Sequence, residues 1–416
     1  MILLPSQPLT TRHRRIIRNR LPLRWRPARG PQAAIGIGVG AALVTGTALG
    51  TLGSTLMPVM LPGMADRYGL SSTGTGVVAT AQLVMTAVVT LALIPRVARP
   101  GRARIAKAGI LAAAAGFCLA AITADFSTLL AANVLAGAGL GAVNAAAMAA
   151  IAATDDSDRA SSVAVVGAIV VAAVLVTALP EAQALWGNAA QFVILAGCCT
   201  ASLWFLRALP DPAEQVDASV PPVRVPMSFL FAVALLGASD QGAWSYSATL
   251  GEEYDGMSPA TVAAVLAVAS LVSLAGVGLS HLTLRKSGRL AAVAAFVAVE
   301  GFAKLIIAVV PSPAAFAAAA VIWQICFMGL LVSLLSAAAS IDSSGRWVAG
   351  AGGALAIGTG LGPAPSGWIL DSWGAPAFGL VIALSTAVAA VPLLRTTRAA
   401  LAPEVTAGAV PLPSRG

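Results

Sequence analysis

The sequence predicts an all-α membrane protein of twelve transmembrane helices, arranged as two pseudo-symmetric six-helix bundles. The first observation is composition. Of 416 residues, 58% are hydrophobic and only 10% are charged, with a mean hydropathy of +0.87; a soluble chain of this length would cover its core with far more charge. The second is twelve long apolar runs, near 34–61, 74–95, 106–124, 128–153, 161–181, 188–206, 227–249, 259–281, 290–310, 314–340, 347–370 and 375–394. Runs of roughly 20 apolar residues span a bilayer as helices, whereas barrel strands alternate over about ten residues. The third is a repeat. Gly69 and Ser71 recur as Gly256 and Ser258, Gly101-Arg102 as Gly288-Arg289, Asp155 and Arg159 as Asp342 and Arg346, and Trp186-Gly187 as Trp373-Gly374, always 187 residues on. Four loops sharing one offset imply a duplicated half of six crossings in the same orientation.

Taken in order, the chain opens with a basic cytoplasmic tail, residues 1–32. Eight of its residues are arginine: Arg12, Arg14, Arg15, Arg18, Arg20, Arg24, Arg26 and Arg29. Without them the net charge of +8 falls to zero, so the excess is a local feature of the tail and no nucleic-acid partner is implied. Pro22 and Pro27 interrupt any long helix there, and the following run is too long for a cleaved signal peptide. The N-terminal bundle occupies 33–206. The segment 207–226, RALPDPAEQVDASVPPVRVP, is rich in Pro and charge without a hydrophobic period, and reads as the cytoplasmic linker. The C-terminal bundle follows at 227–394, and residues 395–416 form a second cytoplasmic tail. With the amino terminus inside, the cytoplasmic segments hold 23 of the 25 Lys and Arg, and Asp66, Asp125, Glu181, Glu252, Glu253, Asp255 and Asp371 lie outside. That asymmetry predicts a multi-pass protein of the cytoplasmic (inner) membrane with both termini cytoplasmic.

Few residues carry chemistry. Asp240 lies well inside the seventh run, in LLGASDQGAWSYSATL. A central Asp costs roughly 2.5–3.5 kcal/mol on insertion scales, so it must face protein or water. Gly237, Asp240, Trp244 and Ser247 follow helical spacing and share one face, which joins a titratable group, an aromatic ring and a hydroxyl. Asp240 is the candidate proton carrier, the alternative being a structural Asp hydrogen-bonded near Gln241 or to another helix. In the ninth run, Glu300 and Lys304 stand at i, i+4, the spacing of an intrahelical ion pair, and are expected to be structural. The fourth run aligns Asn133, Gly137, Gly141, Asn144 and Met148, with glycines spaced for close helix approach. Asn144 is expected to bond either a ligand or a neighbouring helix. The tenth run offers Trp323 and Gln324. Asn144, Trp244, Ser247, Trp323 and Gln324 are the candidate solute-binding set. Cys118, Cys198, Cys199 and Cys326 lie inside spans without metal-ligand spacing, so no metal or cofactor is expected. Each Lys in the spans and loops follows a residue other than Gly, so no phosphate-binding Gly-Lys-Ser/Thr string exists and ATP-driven transport is not expected.

Over residues 34–394 the layout resembles the major facilitator superfamily, with twelve crossings, a six-plus-six parallel repeat, a central linker and basic loops after the second and eighth runs. IPRVARPGRAR keeps that family's Arg99, Gly101 and Arg102 but places Ala98 where its loop has Asp. HLTLRKSGR keeps Lys286, Gly288 and Arg289. NVLAGAGLG resembles the glycine stretch of the family's fourth helix, with Asn133 at the Arg position. The resemblance implies that helices 1, 4, 7 and 10 line a central cavity and that helix 9 is peripheral. It also implies that Arg99, Gly101, Arg102, Gly288 and Arg289 belong to gating loops. The function it implies is secondary active transport of a small organic solute by alternating access, drawing on protons, by a monomer in a lipid bilayer and without enzymatic activity. With no Arg or Lys in runs 1, 4, 7 or 10, a neutral, cationic or weakly acidic solute fits better than a polyanion. The alternative is a non-transporting receptor or sensor built on the same fold.

Overall fold

A computed structural model describes residues 35–210, 225–341 and 346–401. The basic tail, most of the linker and the end of the second tail lie outside the described residues, as does Asp342. Helices α1 (Ile37–Tyr68), α2 (Ser72–Val97), α3 (Arg102–Ile122), α4 (Phe126–Ala152), α5 (Ser157–Trp186) and α6 (Ala190–Phe205) build the first bundle. In the second, α7 (Met227–Ser245) is followed by α8, which starts as Pro259–Val272, breaks for two residues and resumes at Ala275. The stretch Ala275–Val309 turns over at Gly288 (φ 78°, ψ 164°), so it holds the end of α8 and all of α9, 289–309. Helix α10 is Pro313–Ile341. Helix α11 begins as Arg346–Leu361 and continues from Pro363 to a second turnover at Gly374 (φ 76°), after which α12 runs 375–401, seven residues past the expected end of the bundle. Twelve crossings result, and both described ends of the chain lie at one end of the molecule.

The repeat is written in the backbone. The positive-φ residues among those described are Gly69, Gly101, Gly187, Gly256, Gly288 and Gly374, three pairs each 187 residues apart. At these angles a Cβ collides with the backbone, so each reversal needs glycine. Helix starts repeat as well. Ser71 Oγ accepts from Gly74 N at 3.3 Å, and Ser258 Oγ accepts from Thr261 N at 3.2 Å. Each hydroxyl satisfies one of the free N–H groups of a new helix.

Small residues set the spacing within a bundle. A Cβ on Gly137 or Gly141 would meet the α2 backbone at Gln82 or Thr86. Thr86 and Thr90 donate to the carbonyls of Gly137 and Gly141, each at 3.1 Å. The glycine stripe of α4 is therefore the α2–α4 contact, as its spacing predicts. Between bundles, α2 packs on α11 and α5 packs on α8. Nine described helices are long and apolar enough to cross a membrane, one of which, Arg346–Arg398, holds two crossings. Helix α7 is not among them, because Ser239, Asp240, Gln241 and Ser245 crowd its last two turns, all buried inside the protein.

Candidate functional site

A cavity of about 360 Å³ lies between the bundles at mid-depth, within the size range of small-molecule sites. Helix α1 lines it with Thr47, Thr51, Ser54 and Thr55, α7 with Asp240, Gln241 and Trp244, α10 with Gln324 and Phe327, and the break in α8 with Ser270 and Ser273. At that break Gly276 N bonds Ser273 O at 2.8 Å, a tightened turn, and a Cβ on Gly276 would meet the α10 backbone at Ile325. Most of the exposed wall is apolar, from Ile169, Phe327, Leu331 and Leu355 among others, and hydroxyls and two amides punctuate it, with Asp240 as its one charged group among the described residues. Thr51, halfway along α1, is exposed there.

Asp240 is anchored from behind. Its Oδ1 accepts from Trp323 Nε1 at 2.7 Å and lies 3.2 Å from Lys304 Nζ. Lys304 also donates to Glu300 Oε1 at 2.5 Å and sits 5.4 Å from the Trp323 ring centre. The Trp323 ring meets Trp244 edge-on, with centres 6.0 Å apart. The Lys304 and Glu300 side chains have no exposure, whereas the Asp240 side chain keeps 12% on the cavity side. Sequence reasoning separated Asp240 from a helix-9 pair. The structure joins them, because the four-methylene stem of Lys304 reaches from α9 to α7.

The remaining expected residues divide. Trp244 lines the cavity and donates from Nε1 to Thr55 O at 3.1 Å, while Gln324 lines it with an amide that has no protein partner among the described residues. Trp323 points at Asp240, away from the cavity lining. Ser247 is fully buried and donates to Trp244 O at 2.7 Å, because α7 ends at Ser245 and the chain turns at Tyr246 (φ −102°, ψ 7°) before Ser247. Helical spacing does not carry across that turn, so Ser247 leaves the Asp240 face. Asn144 sits against Gly50, 3.5 Å from Thr90 Oγ1, at the junction of α1, α2 and α4 and outside the lining. Gly101 and Gly288 make the reversals into α3 and α9, and Arg102, buried, donates to Ala149 O at 2.6 Å within its own bundle. Arg99 and Arg289 sit beside those reversals, off the cavity lining.

One feature that sequence reasoning missed joins the bundles at the end away from the termini. Asp371, on the last turn of α11, accepts from Ser72 N at 3.0 Å and from Thr73 N and Oγ1 at 2.6 Å each. The cap of α2 is thus shared between its own Ser71 and a carboxylate of the other bundle. Burial works against the Asp371 charge, but the hydrogen bonds from Thr73 outweigh it and hold the carboxyl below its usual range. Tyr246 Oη adds a bond to Ser72 O at 2.7 Å, and Ala364 N donates to Thr80 Oγ1 at 2.9 Å. Nearer mid-depth, Gln241 Nε2 donates to Ser54 O at 3.0 Å. These bonds between bundles all lie from the cavity toward the end away from the termini.

A family model described as the Major Facilitator Superfamily matches residues 43–346. Among solved structures, the nucleoside transporter NupG, in a mutant form, is 15% identical with a TM-score of 0.67, over 88% of this chain and 100% of that one. A bacterial homolog of the human lysosomal transporter Spinster, in an inward-facing and unoccupied conformation, is 16% identical with a TM-score of 0.67, over 87% and 97%. The human organic anion transporter MFSD10 (TETRAN) is 17% identical with a TM-score of 0.63, over 86% and 99%. At such identities the likeness is one of fold. No curated protein is similar enough in sequence to match the chain.

Proposed function

Because the chain belongs to the major facilitator superfamily, a family of membrane transporters, we propose that it is a proton-coupled secondary transporter of a small, uncharged organic solute. The observation that carries the reading is the cavity between the bundles, whose one charged group is a carboxylate already paired with a buried ammonium. Hydroxyls and amides of the lining suit a solute with several hydrogen-bonding groups, and Trp244 and Phe327 offer faces to a ring or apolar edge. Asp240 is where protons from the cavity enter. Lys304 already occupies its inner side, which disfavours a permanently cationic solute.

The orientation follows from the charge asymmetry of the loops, with termini in the cytoplasm of a cell bounded by this membrane. The end sealed by Asp371 and Tyr246 then faces outside, and the exposed lining at Thr51 opens inward. Transport requires the seal to pass to the other end as the bundles rock about the cavity. The solute and proton must bind the two states unequally for one gradient to drive the other.

The test is flux. Solutes that raise the thermal stability of the purified protein are loaded with it into proteoliposomes, with and without a pH gradient. A gradient drives accumulation in the native protein. Asp240→Asn abolishes accumulation against a gradient while solute exchange persists. Undiminished uphill uptake by that variant would remove Asp240 from the mechanism, and failure of any solute to cross would remove transport.

A further inference from the structure

Resting on the proton-coupled reading above, we infer that the coupling proton resides on Glu300, one helix back from the cavity, and that Lys304 relays it there from Asp240. The charge inventory comes first. The cluster holds two carboxylates and one ammonium, within 3.2 Å of one another along the chain Asp240–Lys304–Glu300. The charges acting on Glu300 are those of Lys304 and Asp240. From α10 it faces the neutral thiol of Cys326. From α12 the hydroxyl of Thr386 enters the same layer, against Ser239 of α7 at 3.2 Å. Three charged groups would leave a net negative charge in a dry interior, which is expensive, and one proton removes it.

The second step assigns that proton. Hydrogen bonds to a carboxylate favour its ionised form. Asp240 Oδ1 accepts from the Trp323 indole at 2.7 Å and pairs with the Lys304 ammonium at 3.2 Å, and its side chain retains contact with the cavity. Glu300 has one donor, on Oε1, no exposure, and an Oε2 with no hydrogen-bond partner. The ionised carboxylate therefore belongs on Asp240 and the neutral acid on Glu300.

The relay balances. A proton arriving from the cavity makes Asp240 a neutral acid. One N–H bond of the Lys304 ammonium breaks as its proton passes to ionised Glu300 Oε1, and the lone pair left on Nζ takes the proton from Asp240 as that O–H bond breaks. The ammonium is restored, Asp240 is again ionised and Glu300 is neutral. Lys304 is a positioning and relay group, and Glu300 never touches the solute.

The experiment needs no knowledge of the solute. Full-length protein in lipid nanodiscs, carrying Glu252→Gln to silence a second titrating glutamate, is titrated in the infrared beside the same protein with Glu300→Gln added. The added substitution leaves one carboxylate for one ammonium, so its fold is charge-balanced. The difference isolates the protonated-carboxyl band of the cluster, and the protein is prepared a second time with isotope-labelled glutamate carboxyls. We expect that band to move with the glutamate label. A band that ignores the glutamate label and moves with labelled aspartate overturns the inference and leaves proton coupling at Asp240 intact. A cluster with no titrating carboxyl band overturns the inference and proton coupling together.

Discussion

Glu252 shows how the surroundings of one residue become a response to pH. It follows α7 in the turn at the sealed end, half-buried, and burial, then the charges of Asp66 and Glu253, pushes its carboxyl up to about 7. A raised carboxyl stabilises the state that raises it only while protonated. The contribution is fully present below the ordinary carboxylate range, and is lost as pH rises through about 7. Water reaching Glu252 on opening would return it toward its ordinary value. Spin labels on the α1–α2 and α7–α8 turns should therefore report a closed end in acid, an open fraction that grows as pH rises from the ordinary carboxylate range to about 7, and a plateau above it. Glu252→Gln should flatten that dependence. That Asp240 faces protein or water was legible in the sequence, because an acid inside an apolar run is too costly to turn toward lipid. Its partnership with Lys304 was not, since the two stand on helices whose packing is set by distant contacts. A hint was present, because Lys304 is the one cation deep within a predicted span, Lys107 standing at the edge of its own, in a chain that must neutralise a buried acid.

At the scale of elements, the turns carry more information than the helices they join. The apolar runs foretold every crossing, but not the two-residue break in α8 nor the end of α7 at Tyr246, both of which shape the cavity. Such breaks come from close contacts between helices, Gly276 on α10 for one, and leave no mark in hydropathy. The reversals do leave a mark, as repeated glycines. Gly288 has open space where a Cβ would go, so Gly288→Ala isolates backbone strain from packing. It should cost about 1–3 kcal/mol, read as a lower midpoint of thermal unfolding in detergent. Gly40→Ala, with equally open space but ordinary helical backbone, should not lower it.

For the whole molecule, the balance between its two faces rests on a small set of bonds. The loop after helix 2 has Ala98 where the resemblance places an Asp, while Asp371 holds the start of α2 at the opposite face. A helix cap is worth about 0.5–2 kcal/mol, and about 1.4 kcal/mol is a tenfold change in a ratio of states. Asp371→Ala should therefore raise the population open at that face by roughly tenfold, seen as longer distances between the same labelled turns. The duplication behind this architecture was legible because loops preserve an offset that the Ala-rich and Gly-rich interiors blur. The clamp was not, because its two halves are some 300 positions apart in sequence, as Ser72 and Asp371. Two of its three donors are main-chain amides, which every residue but proline possesses. Changes at Ser72 and most changes at Thr73 therefore have little purchase on this clamp, and inheritance can adjust it chiefly through one codon, that of Asp371.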